Sequence, residues 1–352
     1  MSRLDHMTRR GFLAAAGGIA AAGPLKLATP LFAQSPAVAP AGAAPSRVAL
    51  VQGESRPAII FDALKRIEAD IRRGLAGKKR IIIKPNMVVT TNQLAATHAD
   101  CIEGMLEYFS SLFKGEILIA ESSANGPAGE GYDHYKYVAV ADKYKARLVD
   151  LDHEPVVTEH IVNERYRPTP LRLCKMLMDP EAYVVSAAML KTHDRAVVTL
   201  SLKNLVVGAI GKDPGFRWGK GSKGVSDKHL VHGGRKNEGI HYNLFSLARR
   251  LRPDLAVLDG FQGMEGNGPV NGTPVDHRVA VASTDWLAAD RVGVELMGFD
   301  FAKVGYLTFC AKAGMGQADL EKLEILGEKV AQLARKYRPH DTIEQQYKWM
   351  EG

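Results

Sequence analysis

Three short stretches of this 352-residue chain are apolar at nearly every position: RIIIK at 80–84, EILIA at 116–120 and YVVSAAML at 183–190. A strand with one wet face alternates apolar and polar residues, whereas a strand buried on both faces does not. These runs therefore predict a sheet covered by helices on both sides. Segments of helical period lie between them, as where Ile60, Leu64, Ile67 and Ile71 share one face across 57–75. Further helices are expected over 98–113, 132–145, 241–251, 285–297, 301–314 and 318–337, and further strands at 47–53, 147–152, 254–260 and 278–283. The repeating strand–helix order gives an α/β fold: a mostly parallel sheet with helices on both faces, arranged as two Rossmann-like lobes, 47–180 and 181–340, that share a cleft.

The start of the chain has a different character. Thr8-Arg9-Arg10-Gly11-Phe12-Leu13 fits the twin-arginine export pattern and precedes a weakly apolar Ala/Gly-rich stretch. Residues 1–33 read as a twin-arginine signal peptide, too short and glycine-rich for a permanent membrane span. Residues 34–46 read as a disordered Pro/Ala-rich linker. This predicts a periplasmic or extracytoplasmic protein with the twin-arginine translocase as its partner during export. The formal charge is +7, of which Arg3, Arg9, Arg10 and Lys26 against Asp5 supply +3, leaving +4 for the rest. That excess is too small to argue for nucleic acid and compatible with a small anionic ligand. Cys101, Cys174 and Cys310 are far apart and form no C-x-x-C pair, so they read as small core residues.

In parallel sheets, ligands bind beyond the carboxyl ends of the strands. Four polar clusters follow expected strands directly: Lys84 with Asn86, Glu121 with Ser122, Lys191-Thr192-His193, and Asp259. A parallel sheet would gather all four on one rim. The stretch KTHDRAVVTLSLKN at 191–204 adds Lys203 and Asn204. Its second half fits a helix by spacing and a strand by β-branching, and in either case Thr199 and Lys203 point the same way.

Two glycine-rich segments complete the pattern. GFQGMEGNGPVNGTPV at 260–275 matches neither a dinucleotide fingerprint nor a P-loop and reads as a long loop. Its Gly263, Met264, Glu265, Gly266, Asn267 and Gly268 would offer backbone N–H groups, a carboxylate and an amide to a ligand. The basic segment 211–239 reads either as a mobile flap over an anionic ligand or as a solvated loop. Its His229 and His232 have a helical metal-pair spacing, but flanking glycines oppose a helix. Asp285 is expected to cap the helix that follows it, and Asp290 is expected to be structural.

The ordered set KPNMV (84–88), ESSANG (121–126), LKTH (190–193), SLKNLVVGAIG (201–211), DGFQGMEGNGP (259–269) and STDWLAADRVGVELMG (283–298) resembles the family catalogued as domain of unknown function 362, over about 47–330. The resemblance implies a shared α/β domain. It also brings to mind a ferredoxin-type cysteine module carried by many members. The three scattered cysteines here do not supply one, so no iron–sulfur cluster of its own is expected, and the cofactor and any metal stay open.

The expected function is an enzyme acting on a small anionic substrate. His193 would move a proton beside Lys191 and Lys203, Lys84 would neutralise charge, and Asn86 and Asn204 would orient the substrate. The alternative is a non-catalytic metal- or cofactor-binding or maturation protein, linked to iron–sulfur or redox systems.

Overall fold

The computed structural model describes residues 45–219, 222–233 and 238–351. The signal-peptide reading and nearly all of the linker reading lie outside the described residues. The strands are β1 (Ser46–Gln52), β2 (Arg80–Lys84), β3 (Glu116–Glu121), β4 (Arg147–Asp150), β5 (Val156–Val162), β6 (Pro168–Cys174), β7 (Ala182–His193), β8 (Val197–Thr199), β9 (Leu255–Asn267), β10 (Asn271–Ser283) and β11 (Leu323–Gly327). The helices are α1 (Arg56–Arg66), α2 (Glu68–Leu75), α3 (Ala99–Leu112), α4 (Ala128–His134), α5 (Tyr137–Tyr144), α6 (Ser201–Ala209), α7 (Glu238–Ala248), α8 (Trp286–Leu296), α9 (Gly305–Lys312), α10 (Val330–Leu333) and α11 (Ile343–Tyr347).

One nine-stranded sheet runs in the order β11-β1-β10-β9-β7-β2-β3-β4, with β8 paired to β7. The pairs β2–β3, β2–β7, β3–β4, β7–β9 and β1–β11 are parallel, while β10 is antiparallel to both its neighbours. The apolar runs are central strands whose side chains alternate between two buried layers. Ile81, Ile83, Ile117, Ile119, Tyr183 and Val185 join the layer under α1, α3 and α5, whereas Ile82, Leu118 and Val184 join the layer under α6, α7 and α8. Strands from 47–180 and 181–340 share this sheet, because β7 is bonded to β2 on one side and β9 on the other. Cys101, Cys174 and Cys310 are buried free thiols.

Three segments differ from expectation. The glycine-rich 260–275 is not a loop: β9 and β10 continue through it as an antiparallel ribbon that pairs Glu265 with Thr273 and Asn267 with Asn271. Its glycines permit close approach, since a Cβ on Gly268 would lie 2.1 Å from the Thr192 carbonyl oxygen. The helix expected at 318–337 is largely replaced by β11 and the short α10, because LEILG satisfies the open edge of β1. The hairpin β5–β6 was not anticipated. The α/β unit also runs past 340, where Gln346 on α11 is fully buried.

Candidate functional site

Within KTHDRAVVTLSLKN the chain does two things. β7 runs to His193, turns, and returns as β8, after which α6 starts at Ser201. Strand and helix readings are both realised, in succession. Val197 sits in the left-handed region at φ 66°, a costly conformation for a β-branched residue. Gln346 holds this turn, accepting from Val197 N at 2.8 Å and donating to the His193 carbonyl at 2.9 Å. Asp290 receives Ser201 N at 2.8 Å and Leu202 N at 3.0 Å, so it caps α6 and is structural, and Asp285 caps α8 as expected.

The turn opens onto a cavity of about 450 Å³. Its floor includes Lys84, Asn86, Glu121 and Ser122 from the strand ends, and one wall is Thr199, Lys203, Asn204, Val207 and Gly208. His193 and Pro269 complete the lining together with Phe216, Trp218, Lys228, His229 and His232 from the glycine-rich basic segment. Lys84, Asn86, Glu121, Ser122, His193, Lys203 and Asn204 therefore meet, as the rim argument requires. Lys228, Phe216 and Trp218 were not singled out individually, since only tertiary packing brings them here.

The floor is a bonded network. Lys84 Nζ lies 2.9 Å and 3.0 Å from the two Glu121 oxygens and 3.3 Å from Asn204 Oδ1. Asn86 Nδ2 donates to the same Asn204 oxygen at 3.1 Å, and Asn86 Oδ1 accepts from Lys191 at 2.5 Å. Burial pushes Lys84 below and Glu121 above their usual ranges, and mutual attraction opposes both shifts. Gly208 gives Lys84 its path, because a Cβ there would stand 1.8 Å from Lys84 Cε. Lys228 closes α6 by donating to the carbonyls of Val207, Gly208 and Ile210, and burial holds it at about 7.

His193 accepts at Nδ1 from the backbone N–H of Arg195 and Ala196 at 3.1 and 3.2 Å. Burial, together with Lys203 and His232, keeps its pKa well below the ordinary histidine value. A neutral ring accepting at Nδ1 carries its proton on Nε2, and His193 lines the cavity. The His232 ring is stacked on it at 6.2 Å, and burial lowers His232 to about 4. Lys203 is 6% exposed and makes no hydrogen bond or ion pair with any described residue. Burial lowers its pKa to about 8, with Asp194 opposing.

Several expected contributors lie elsewhere. Lys191 is fully buried beneath the floor, bonded to Asn86 and near the Ala95 and Pro269 carbonyls, so it supports the cavity without facing it. Thr192 ties β7 to the ribbon through the Gly266 carbonyl at 2.8 Å. Asp259 is on the other side of the sheet from Lys84: Leu258 enters one layer and Val257 the other, and Asp259 follows Val257 toward Arg56 on α1, 3.3 Å away. Gly263, Met264, Glu265, Gly266, Asn267 and Gly268 do not line the cavity. Met264 is core, Glu265 accepts from Arg338 N at 2.9 Å, and Asn267 donates to Asp341 at 2.8 Å. Gly263 gives room to the Tyr337 hydroxyl, and the Gly266 N–H binds the Arg338 carbonyl at 2.7 Å. Only Pro269, at the end of that motif, reaches the site. Among the described residues, no group of three or more His, Cys, Asp or Glu side chains is placed to hold a metal ion.

Comparison with known proteins places the chain in a family. The family described as Domain of unknown function (DUF362) matches residues 81–295, a span that holds every cavity residue named above. The chain belongs to this family. A similar protein is the thylakoid-associated protein sll1697 of Synechocystis sp., 30% identical over 244 residues, which cover 69% of this chain and 70% of the relative. A Thermotoga maritima protein of known crystal structure aligns with a TM-score of 0.41 at 9% identity, over 75% of this chain and 59% of that one. No helix among the described residues is long and apolar enough to cross a membrane.

Proposed function

We propose that the cavity binds a small organic anion and that the protein is an enzyme acting on it. The observation that carries this is Lys203, a buried ammonium on a cavity wall with no bonded counter-charge among the described residues. Desolvating a charge without a partner is costly, and such a group is characteristic of a site completed by its ligand. Lys203 neutralises the anion, His193 Nε2–H donates to an oxygen and moves a proton, and Phe216 and Trp218 cover the apolar part. The cavity volume of about 450 Å³ suits a metabolite-sized molecule. The twin-arginine pattern at Thr8–Leu13 supports an extracytoplasmic setting for this activity.

The test is equilibrium binding of small carboxylates and phosphates, read through Trp218 fluorescence against a Trp218→Phe control. Saturable binding that Lys203→Met weakens by about tenfold or more, equivalent to ~1.4 kcal/mol, supports the reading. Equal binding by wild type and Lys203→Met, or none by either, rejects it. Turnover of the bound anion identifies an enzyme; an unturned species that survives purification identifies a carrier.

A further inference from the structure

Thr199 and Lys203 share an unusual condition. Both line the cavity, both are buried, and among the described residues neither side chain is bonded to protein: the Thr199 hydroxyl is an unpaired buried oxygen, and Lys203 lacks any hydrogen-bond or ion-pair partner. Thr199 ends β8 and Lys203 lies in the first turn of α6, so a single strand-to-helix turn fixes both. The other cavity lysines are committed. Lys84 is paired with Glu121, and Lys228 is spent on three carbonyls. Among the described residues Lys203 is thus the cavity amine whose nitrogen no other group occupies, and burial brings it to about 8, where a useful fraction is unprotonated near neutral pH.

Resting on the anion-binding reading, we propose that Lys203 forms an imine with the carbonyl carbon of a small 2-oxo or aldehyde acid. The lone pair of Nζ adds to the carbonyl carbon, and the C=O π pair moves to oxygen. That oxygen takes a proton and the nitrogen gives one up, leaving a neutral carbinolamine. The C–O bond then breaks as the nitrogen pair forms C=N, the hydroxyl leaves as water with a second proton, and the nitrogen gives up its last proton to make that one good. One amine and one carbonyl give one imine and one water, with no oxidant or reductant. His193 Nε2–H, in the same cavity, donates to the oxygen and is replenished from the nitrogen. The Thr199 hydroxyl finds its missing partner in the carbinolamine oxygen.

The experiment incubates the purified protein with pyruvate, 2-oxobutyrate or glyoxylate, reduces with sodium borohydride, and maps the adduct by peptide mass. Lactate, an anion of similar shape without the carbonyl, is tested for binding in parallel through Trp218 fluorescence. The expected result is one trapped adduct on the peptide carrying Lys203, absent from Lys203→Arg, whose fold is checked by circular dichroism. Adducts spread equally over surface lysines in wild type and Lys203→Arg overturn the proposal. No adduct with any oxo acid, while lactate binds saturably, overturns the imine and leaves the anion site standing; absence of both adduct and binding overturns both.

Discussion

Lys84 Nζ lies 2.9 Å from Glu121 Oε1, and both side chains are 1% exposed. The pair joins the ends of β2 and β3 in the cavity floor, and each partner is what makes the other tolerable there. Glu121→Ala leaves a buried ammonium without its carboxylate and is expected to cost about 3–5 kcal/mol. Replacing both, as Lys84→Met with Glu121→Leu, is expected to restore much of that stability while abolishing ligand binding. Urea unfolding of the two variants checks the first outcome and ligand titration the second; equal losses in the single and double variants would contradict this account.

Gly208→Ala tests the close approach over Lys84. Alanine favours a helix over glycine by about 1 kcal/mol. The new methyl, however, would stand 1.8 Å from Lys84 Cε and must displace it. Overpacking of this kind costs about 1–3 kcal/mol, so net destabilisation is expected, with a further loss of ligand affinity. A variant as stable as the parent with unaltered affinity contradicts the arrangement.

His241 predicts a pH dependence. It is fully buried, accepts from Tyr306 N at 3.2 Å, and has an Nε2 that is unbonded among the described residues. Burial lowers it from 6.5 to about 3. Between those values the unfolded chain binds a proton that the folded chain refuses. Its contribution is therefore fully present above the unfolded value and is lost as pH falls from 6.5 toward 3. His241→Phe is expected to flatten the decline in urea midpoint across this window. An identical slope in parent and variant would count against a neutral buried ring.

Arg172 on β6 predicts how the basic segment is held. Its guanidinium bonds Asp227 at 3.0 Å from both Nε and Nη2, and also bonds Asp213. Arg172→Ala is expected to speed limited proteolysis between 213 and 225 and to weaken ligand binding, because Phe216 and Trp218 lose their placement. Unchanged cleavage in the variant would show that other contacts suffice.

The strand ends were readable because a lysine or glutamate after a two-face-buried run has to emerge where the core stops. Lys84, Glu121 and His193, each at or next to a strand end, share one cavity lining, which Lys203 and Asn204 join from α6. The same rule failed for Asp259, because side-chain parity along β9 sends it to the opposite layer. It also failed for Lys191, which continues β7 and is consumed by Asn86. The glycines of 260–275 looked like loop residues because glycine density signals both turns and close backbone approach, and only the β9–β10 register separates the two. Lys228 left no local trace, since its role as a helix closure depends on carbonyls some twenty residues earlier, from Val207 to Ile210.

β1 is flanked by β10 and β11, both drawn from residues 271–327. The first strand of the sheet therefore has no neighbour until most of the polypeptide has been synthesised, and its seating is a late, whole-chain event. A nascent chain released early would expose an unsatisfied strand, a hazard that ends only when the carboxyl-terminal quarter arrives.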